Sequence, residues 1–423
     1  MEYLLFVFYL VLFAWLVTKV KFFIKTGLSK PQLISLFLLK VIAGIFYGWI
    51  GTYYGGLAQM YDTWVYHNQG IVEYNLLFTD PLTYLTNIFH NPYQGGASQF
   101  LAGYDSYWND LKGNTFIKIV SIFNLFTFGN YFVNVILYSF VTLFGPIAFY
   151  RVMQDVYPRK KTVVLLFSFL IPSFLYWTSG LHKEGIIFTG IAMVTYSIYF
   201  GLQQNKWSPL RILVILLGLT VILTLRNFII IIFIPAILTW FIAGKIPQYT
   251  TKIFWISYSV FVVLFFSLRY CSPKLDFPQA VVNKQQDFLK HQGPTSVPIN
   301  ILEPTVLSFV KNTPQAINLS VVRPYPSDVK HLPSLAATIE ISFLLLIVLL
   351  SFIFKDTRQR PNHFIYYCFF FGVSLLLSIG FSQNNIGAIV RYRSIALPLL
   401  IIPFAASINW EKLRDIIKKI FKQ

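Results

Sequence analysis

His182, Lys183 and Glu184 are three consecutive ionisable residues between two strongly apolar stretches. The stretches cover 162–178 and 185–202, so only 179–184 connect them. An ionised group at the centre of a bilayer costs about 2.5–3.5 kcal/mol on insertion scales and is seldom left without a partner. The segment therefore indicates a polar site at the membrane surface. A simpler interpretation is that Lys183 and Glu184 merely end helices or pair with each other.

Asp62 lies in a second polar segment, beside Trp64, Tyr66 and His67. A carboxylate held at the membrane surface can take a proton from a hydroxyl group, which makes Asp62 a candidate general base. Trp64 and Tyr66 have the flat faces that stack on sugar rings, as do Tyr104, Tyr107 and Trp108 further along. Aromatic residues more often form a belt at the membrane interface, and Asp62 is equally compatible with an exposed loop.

Arginines form the third group of candidates. Arg226 separates two apolar stretches, and Arg391 and Arg393 begin the last one. One guanidinium group can bind two phosphate oxygens at once. Arginines on the same side of the membrane as Asp62 and Glu184 therefore predict an anionic ligand, which Lys183 would also contact. Lys112 and Lys118, flanked by aromatic residues, are on the same side. The alternative is that these side chains reach the lipid headgroups individually.

Metal chemistry has weaker support in the sequence. His67, His90 and His182 show no spacing that would bring ligands together, and no CxxC pattern is present. Asp62 and Glu184 supply oxygen ligands for a divalent cation such as Mg²⁺ or Mn²⁺ if the fold brings them close. We treat such an ion as a possible cofactor only.

The elements that must position these residues are membrane-spanning helices. Hydrophobic residues make up 56% of the 423 positions and charged residues 12%, too little polar sequence to cover a soluble protein. The apolar blocks match a hydrocarbon core about 30 Å thick and lack the alternation of barrel strands. We predict an all-α transmembrane bundle of about 11 spans in a single domain, 1–423. The predicted spans are 4–19, 34–53, 131–150, 162–178, 185–202, 209–225, 228–243, 252–268, 336–354, 363–380 and 391–408.

The net charge of +18 is explained by topology. With the N-terminus outside, the inner connections hold most of the lysines and arginines. They hold only four of the 16 acidic residues: Asp155, Asp356, Glu411 and Asp415. This bias sets orientation in a membrane, with the C-terminus in the cytoplasm, and makes a nucleic-acid partner unnecessary.

Two long segments, 54–130 and 269–335, lie on the outer side. In the first, the patterns at 81–91 and 115–128 predict helices lying in the membrane interface; the alternative for 115–128 is half of a longer membrane helix. The second carries nine prolines, which favour an irregular, partly ordered lid without long helices.

This layout resembles the GT-C type integral-membrane glycosyltransferases and the related envelope polysaccharide polymerases, over roughly 34–243. In that family an acidic residue follows a membrane helix early in a long outer loop, as Asp62 does here. The resemblance implies that Glu184 is the second acidic residue and that Arg226, Arg391 and Arg393 hold the phosphate of a lipid carrier. Asp62 is followed by Thr63, where the family often has a second acid.

The resulting prediction is a glycosyltransferase of the cytoplasmic (inner) membrane. It would move a sugar from a polyprenyl-phosphate-linked donor to a glycan or lipid acceptor on the outer side, in envelope glycan assembly. Asp62 and Glu184 are the predicted catalytic residues, and His67, His182, Tyr66 and Trp64 are further site candidates. A polymerase joining lipid-linked repeat units and a lipid-glycan transporter or flippase remain alternatives.

Overall fold

The computed structural model describes residues 2–54, 62–93, 100, 106–290, 293–356 and 362–420. Within these ranges the chain is helical. The only β-type pairings are two isolated bridges, Ser296 with Asn385 and Lys355 with Ile408. The predicted all-α class is confirmed for this part of the chain.

The helices are numbered in chain order. They are α1 Glu2–Val17, α2 Lys21–Ile24, α3 Lys30–Tyr53, α4 Asp62–Thr79, α5 Pro81–Thr86, α6 Tyr107–Thr127, α7 Tyr131–Val156, α8 Lys161–Phe169, α9 Pro172–Ser179, α10 Lys183–Gln204, α11 Pro209–Lys245, α12 Thr250–Ser267, α13 Phe277–Lys290, α14 Val306–Ile317, α15 Leu332–Ile353, α16 His363–Ser382, α17 Ile386–Arg393, α18 Leu397–Ser407 and α19 Trp410–Ile420.

Seven of the described helices are long and apolar enough to cross a membrane: α3, α7, α10, α11, α12, α15 and α16. Two bent pairs, α8 with α9 and α17 with α18, raise the number to nine if each pair is one span; the bends are 52° and 65°. Several apolar side chains of α12, including Trp255 and Val263, are exposed, as expected for contact with lipid. The protein is thus a multi-pass membrane protein.

The predicted set of 11 spans differs from the structure at both ends and at 162–178, where the chain bends between α8 and α9. The first predicted span, 4–19, is α1, which has 16 residues and falls short of the spanning length. The last, 391–408, is interrupted between Arg393 and Leu397, where the chain bends.

Helix α11 is broken at Arg226, whose φ of −155° and ψ of 76° are not helical. A straight helix of 37 residues would be about 55 Å long. Instead, both ends of α11 contact the end of α10. Arg211 donates to the carbonyl of Phe200 at 3.2 Å, and the rings of Trp240 and Tyr199 lie 6.3 Å apart. The chain therefore turns back sharply at Arg226, where the sequence predicted a boundary between two spans.

The first outer segment contains more helix than predicted. Helices α4, α5 and α6 occupy its described parts, and α6 begins eight residues before the predicted 115. Helix α6 ends at Thr127, and the next two residues, Phe128 and Gly129, both have positive φ. Helix α7 then starts separately at Tyr131. The stretch 115–128 is therefore part of a longer helix that extends back to Tyr107, but this helix does not continue into α7.

The second outer segment also differs from the irregular lid that its prolines suggested. Pro278 lies in the first turn of α13, where the missing N–H is tolerated. Pro314 lies inside α14, which ends in a π-helical turn at Asn318–Val322. Both helices pack on the end of α16 through Val282, Phe309 and Phe381, so the described parts of this segment include two helices packed against the bundle.

Candidate functional site

The turn between α9 and α10 carries the central residues of the site. Gly180 and Gly185 lie against Tyr47 and Tyr138 so closely that a side chain at either position would clash. Lys40 donates to the carbonyl of Thr178 at 2.7 Å, which satisfies a carbonyl at the end of α9. Lys40 is thus a buried structural residue of α3.

His182 lies between two carboxylates. Its Nδ1 atom hydrogen-bonds Oε2 of Glu184, and its Nε2 atom lies 3.3 Å from Oδ2 of Asp62. Glu184 lies in the first turn of α10, whereas Asp62 is the first residue of α4. The imidazole therefore links the two predicted acidic residues, which are 122 positions apart in the chain.

Two arginines complete the network. Nη1 of Arg391 lies 2.6 Å from Oδ2 of Asp62, and Nη2 of Arg226 lies 2.5 Å from Oε1 of Glu184. Nε of Arg391 is also 3.8 Å from that glutamate oxygen. Pairing of Glu184 with Lys183 is therefore wrong, because Glu184 contacts Arg226 and His182, although Lys183 and Glu184 do lie in the first turn of α10. The interpretation of Arg226 as a side chain that reaches the headgroups alone is also wrong, because Arg226 is buried.

Aromatic rings support the charged groups. The guanidinium of Arg226 lies 3.8 Å from the ring centre of Tyr392, and that of Arg391 lies 4.9 Å from the same ring. Tyr66 packs against His182, with ring centres 5.7 Å apart, and has the Lys183 ammonium 5.1 Å above it. Such contacts hold cations by the ring quadrupole without neutralising them.

Burial distinguishes the two carboxylates. The Glu184 side chain is fully buried, whereas that of Asp62 is 43% exposed. Asp62 is therefore the more accessible of the two carboxylates, whereas Glu184 is enclosed and contacts His182 and Arg226. Burial acts to raise the pKa of Asp62, but hydrogen bonding with His182 and the charge of Arg391 outweigh it and hold that pKa well below its usual range. Burial lowers the pKa of His182 to about 3, although the hydrogen bond and the negative charge of Asp62 act to raise it.

A cavity of about 840 Å³ adjoins this network. Lys183, Arg226, Arg391 and Tyr392 line both, so the charged groups face into the cavity. Lys112 and Lys284 contribute two further cations to its lining. The cationic part of the cavity is therefore assembled from five helices, α6, α10, α11, α13 and the last turn of α17.

The rest of the cavity is apolar and elongated. On α11 its lining residues recur every three to four positions from Phe228 to Thr239, which is one helical face about 16 Å long. Aromatic and aliphatic residues of α12 and α16 line it opposite, among them Phe254, Tyr258, Phe265, Phe370, Leu377 and Phe381. The cavity thus has a long apolar part and a cationic end at Arg226. Its chemistry is complementary to a molecule with a long apolar tail and an anionic headgroup.

Several predicted site residues lie elsewhere. Arg393 is fully buried and donates to the carbonyls of Ser320 and Arg323, because residues two apart on a helix face different sides. Lys118 pairs with Glu73, away from the cavity.

Trp64 and His67 are structural in the fold. Trp64 donates to the carbonyl of Gly48 at 2.9 Å and stacks on Tyr131. His67 packs beside both rings, and burial lowers its pKa to about 4. Of the proposed sugar-stacking residues, Trp108 packs against Phe100, with ring centres 4.7 Å apart. Tyr104 lies outside the described residues.

The donor set does not fit a divalent cation. Among the residues that the structure describes, no group of three His, Cys, Asp or Glu side chains is close enough to hold a metal ion. The two carboxylates are each engaged by a guanidinium group, whose positive charge opposes a cation at the same place.

Lys284 and Tyr392 were missed by sequence reasoning. Lys284 shares one helical face with Phe277, Val281 and Phe288, a spacing that marks it as a cation within an apolar surface. Tyr392 stands between the two predicted arginines, and only the packing of α17 reveals its role.

No protein-family model matches the chain, and no match is found among curated proteins or among solved structures. The functional interpretation therefore starts from the chemistry of the site.

Proposed function

We propose that this protein is a membrane glycosyltransferase that takes a sugar from a polyprenyl-phosphate-linked donor. The observation that carries the proposal is the junction of an elongated apolar cavity with Arg226 and Arg391, next to the accessible carboxylate of Asp62. A polyprenyl tail fits the apolar cavity, and its phosphate fits the guanidinium groups.

The proposed reaction uses Asp62 as the general base. Asp62 accepts the proton of an acceptor hydroxyl while the hydroxyl oxygen bonds to the anomeric carbon of the donor sugar. The bond between that carbon and the phosphate oxygen breaks, and the phosphate leaves with its electron pair. Arg226, Arg391 and Lys183 neutralise the charge that develops on the phosphate, so no acid is needed to protonate it. Attack from the side opposite the phosphate inverts the configuration.

The proposed location is the cytoplasmic (inner) membrane, with the site on the outer side. The excess of lysine and arginine in the inner connections supports this orientation, with the N-terminus outside and the C-terminus inside. Nucleotide sugars are absent from that side, which is a reason for a lipid-linked donor. The acceptor is a glycan or lipid of the envelope; a polymerase joining lipid-linked repeat units would use the same phosphate site with a longer acceptor.

A lipid-glycan transporter is the second candidate. The break of α11 at Arg226 favours it, because discontinuous helices with charged groups at the break are frequent in transporters. A transporter would move the lipid-linked glycan without cutting its sugar–phosphate bond, so it would not depend on Asp62 as a base.

The test is sugar transfer by the full chain reconstituted in lipid vesicles with lipid-linked sugars extracted from the host membrane. We expect Asp62→Asn to lower the transfer rate by about 10²–10⁴-fold, the usual contribution of a general base. Glu303→Gln, an exposed carboxylate of the second outer segment, serves as the matched control and should transfer at the wild-type rate. Wild-type transfer by Asp62→Asn would remove Asp62 from the mechanism, and lipid movement without transfer would favour the transporter.

A further inference from the structure

Three lysines in the cavity have charges that the described protein does not balance. They are Lys112 on α6, Lys183 at the start of α10 and Lys284 on α13. None of them makes an ion pair or a hydrogen bond with another residue of the described ranges. Two of them lie over aromatic faces: Lys183 over Tyr66 and Lys284 over Phe228, at 5.1 and 3.9 Å from the ring centres. This differs from Arg226 and Arg391, which pair with Glu184 and Asp62.

With each lysine protonated, the charges that the described residues place around the cavity give a net excess of two. Five cations line it, Lys112, Lys183, Arg226, Lys284 and Arg391, together with one carboxylate, Asp287. Asp62 and Glu184, which pair with the two arginines, bring the number of negative charges to three. The net charge of these groups is then +2. Two uncompensated charges in a largely apolar cavity are costly without a counter-charge. The ligand is therefore expected to bring two negative charges.

The lysines also influence one another. Burial lowers the pKa of Lys112 to about 8, and the charge of Arg226 adds to the effect. Burial lowers the pKa of Lys284 well below its usual range, with Lys112 and Arg226 acting in the same direction and Asp287 opposing them. An anion bound among these groups would relieve their mutual repulsion and restore the charged forms.

We propose that the cavity binds a lipid diphosphate in preference to a lipid monophosphate. A sugar joined to a lipid through one phosphate carries a single negative charge, whereas a sugar joined through a diphosphate carries two, which equals the excess of the site. Arg226 and Arg391 would hold the phosphate beside Asp62. Lys112 and Lys284 would hold the second phosphate, on the side of Phe228 and the apolar tail. This inference rests on the proposed use of a lipid-linked donor and specifies its class.

The test compares a sugar linked to polyprenyl monophosphate with the same sugar linked to polyprenyl diphosphate, both with the same chain length. Binding to the full chain in nanodiscs would be measured by titration, with the thermal midpoint of each variant recorded. We expect the diphosphate to bind about tenfold or more tightly, as an additional charge-assisted contact predicts. Lys112→Met and Lys284→Met should each remove most of that preference while changing monophosphate affinity by less than about threefold. Lys311→Met, an exposed lysine on α14 that does not line the cavity, is the control and should keep the preference.

The outcomes separate this inference from the proposed function. Equal affinity for the two lipids, or a preference that survives in the Lys112→Met/Lys284→Met double variant, would overturn the diphosphate assignment and leave a lipid-phosphate site in place. Binding of neither lipid would overturn both proposals. Binding of inorganic pyrophosphate as tight as that of the lipid would also reject a lipid ligand, because the apolar cavity would then contribute nothing.

Discussion

Nη1 of Arg391 lies 2.6 Å from Oδ2 of Asp62, although the two residues are 329 positions apart in the chain. The same guanidinium lines the cavity. Arg391 therefore faces two anions, the carboxylate of Asp62 and the phosphate of the proposed donor. A carboxylate held by an arginine is a weak base, since a general base works best with a pKa near the working pH. A phosphate that draws Arg391 toward itself would strengthen Asp62 as a base at the moment of binding.

Arg391→Met should raise the pKa of Asp62 toward its ordinary value, because the nearest positive charge is lost. Asp62 would then become protonated at a higher pH, and the acidic limb of the transfer profile should move upward. The overall rate should also fall, since phosphate binding is weakened. The measurement is kcat/KM against pH for the wild type, Arg391→Met and Arg391→Lys. An acidic limb that stays in place in Arg391→Met would show that Arg391 does not control Asp62.

Glu184→Gln should lower stability, because it leaves the buried groups of Arg226 and His182 without their charged partner. Breaking one side of a buried pair costs about 3–5 kcal/mol. Removing the arginine as well, in Glu184→Gln/Arg226→Met, should recover part of that loss. The measurement is a double-mutant cycle of thermal or denaturant unfolding in detergent. Strict additivity of the two substitutions would mean that the pair does not form.

Arg393→Met should reduce stability by roughly 2 kcal/mol, because the carbonyls of Ser320 and Arg323 lose a charged donor. Affinity for the phosphorylated lipid should stay at the wild-type value, since Arg393 does not line the cavity. Thermal midpoint and lipid titration, measured on the same preparation, check both parts. Loss of lipid affinity without loss of stability would return Arg393 to the phosphate site.

Ala236→Trp should block the apolar part of the cavity, because Ala236 is a buried lining residue on α11. Affinity for a long-chain polyprenyl phosphate should fall at least tenfold, while a short-chain isoprenyl phosphate should bind as before. Leu238→Trp, at an exposed position on the same helix, is the matched control. If both variants bind the long-chain lipid normally, the tail does not occupy this cavity.

The length of the apolar blocks and the placement of charges were sufficient to predict the positions of several membrane helices. The long apolar blocks of α3, α7, α10 and α16 have no alternative fold that satisfies their backbone groups in lipid, so their positions could be predicted closely. The bends between α8 and α9 and between α17 and α18 could not be predicted from the apolar pattern. There, proline and local packing break the helix within a block of residues that is apolar throughout. In the 269–335 segment, α13 tolerates Pro278 because this proline occupies the first turn, a place that a count of prolines does not reveal.

For the site, the sequence by itself determined which residue types were out of place in a membrane protein: Asp62, Glu184, Arg226 and Arg391 are ionisable groups beside apolar spans, and such groups need partners. The tertiary structure decided which partners they have. It brought His182 between the two carboxylates, turned Arg393 away from Arg391, and added Lys284 from a distant segment. The physical reason is that hydrophobic pattern fixes each helix separately, whereas the rotation and packing of helices against one another determine which side chains share a cavity.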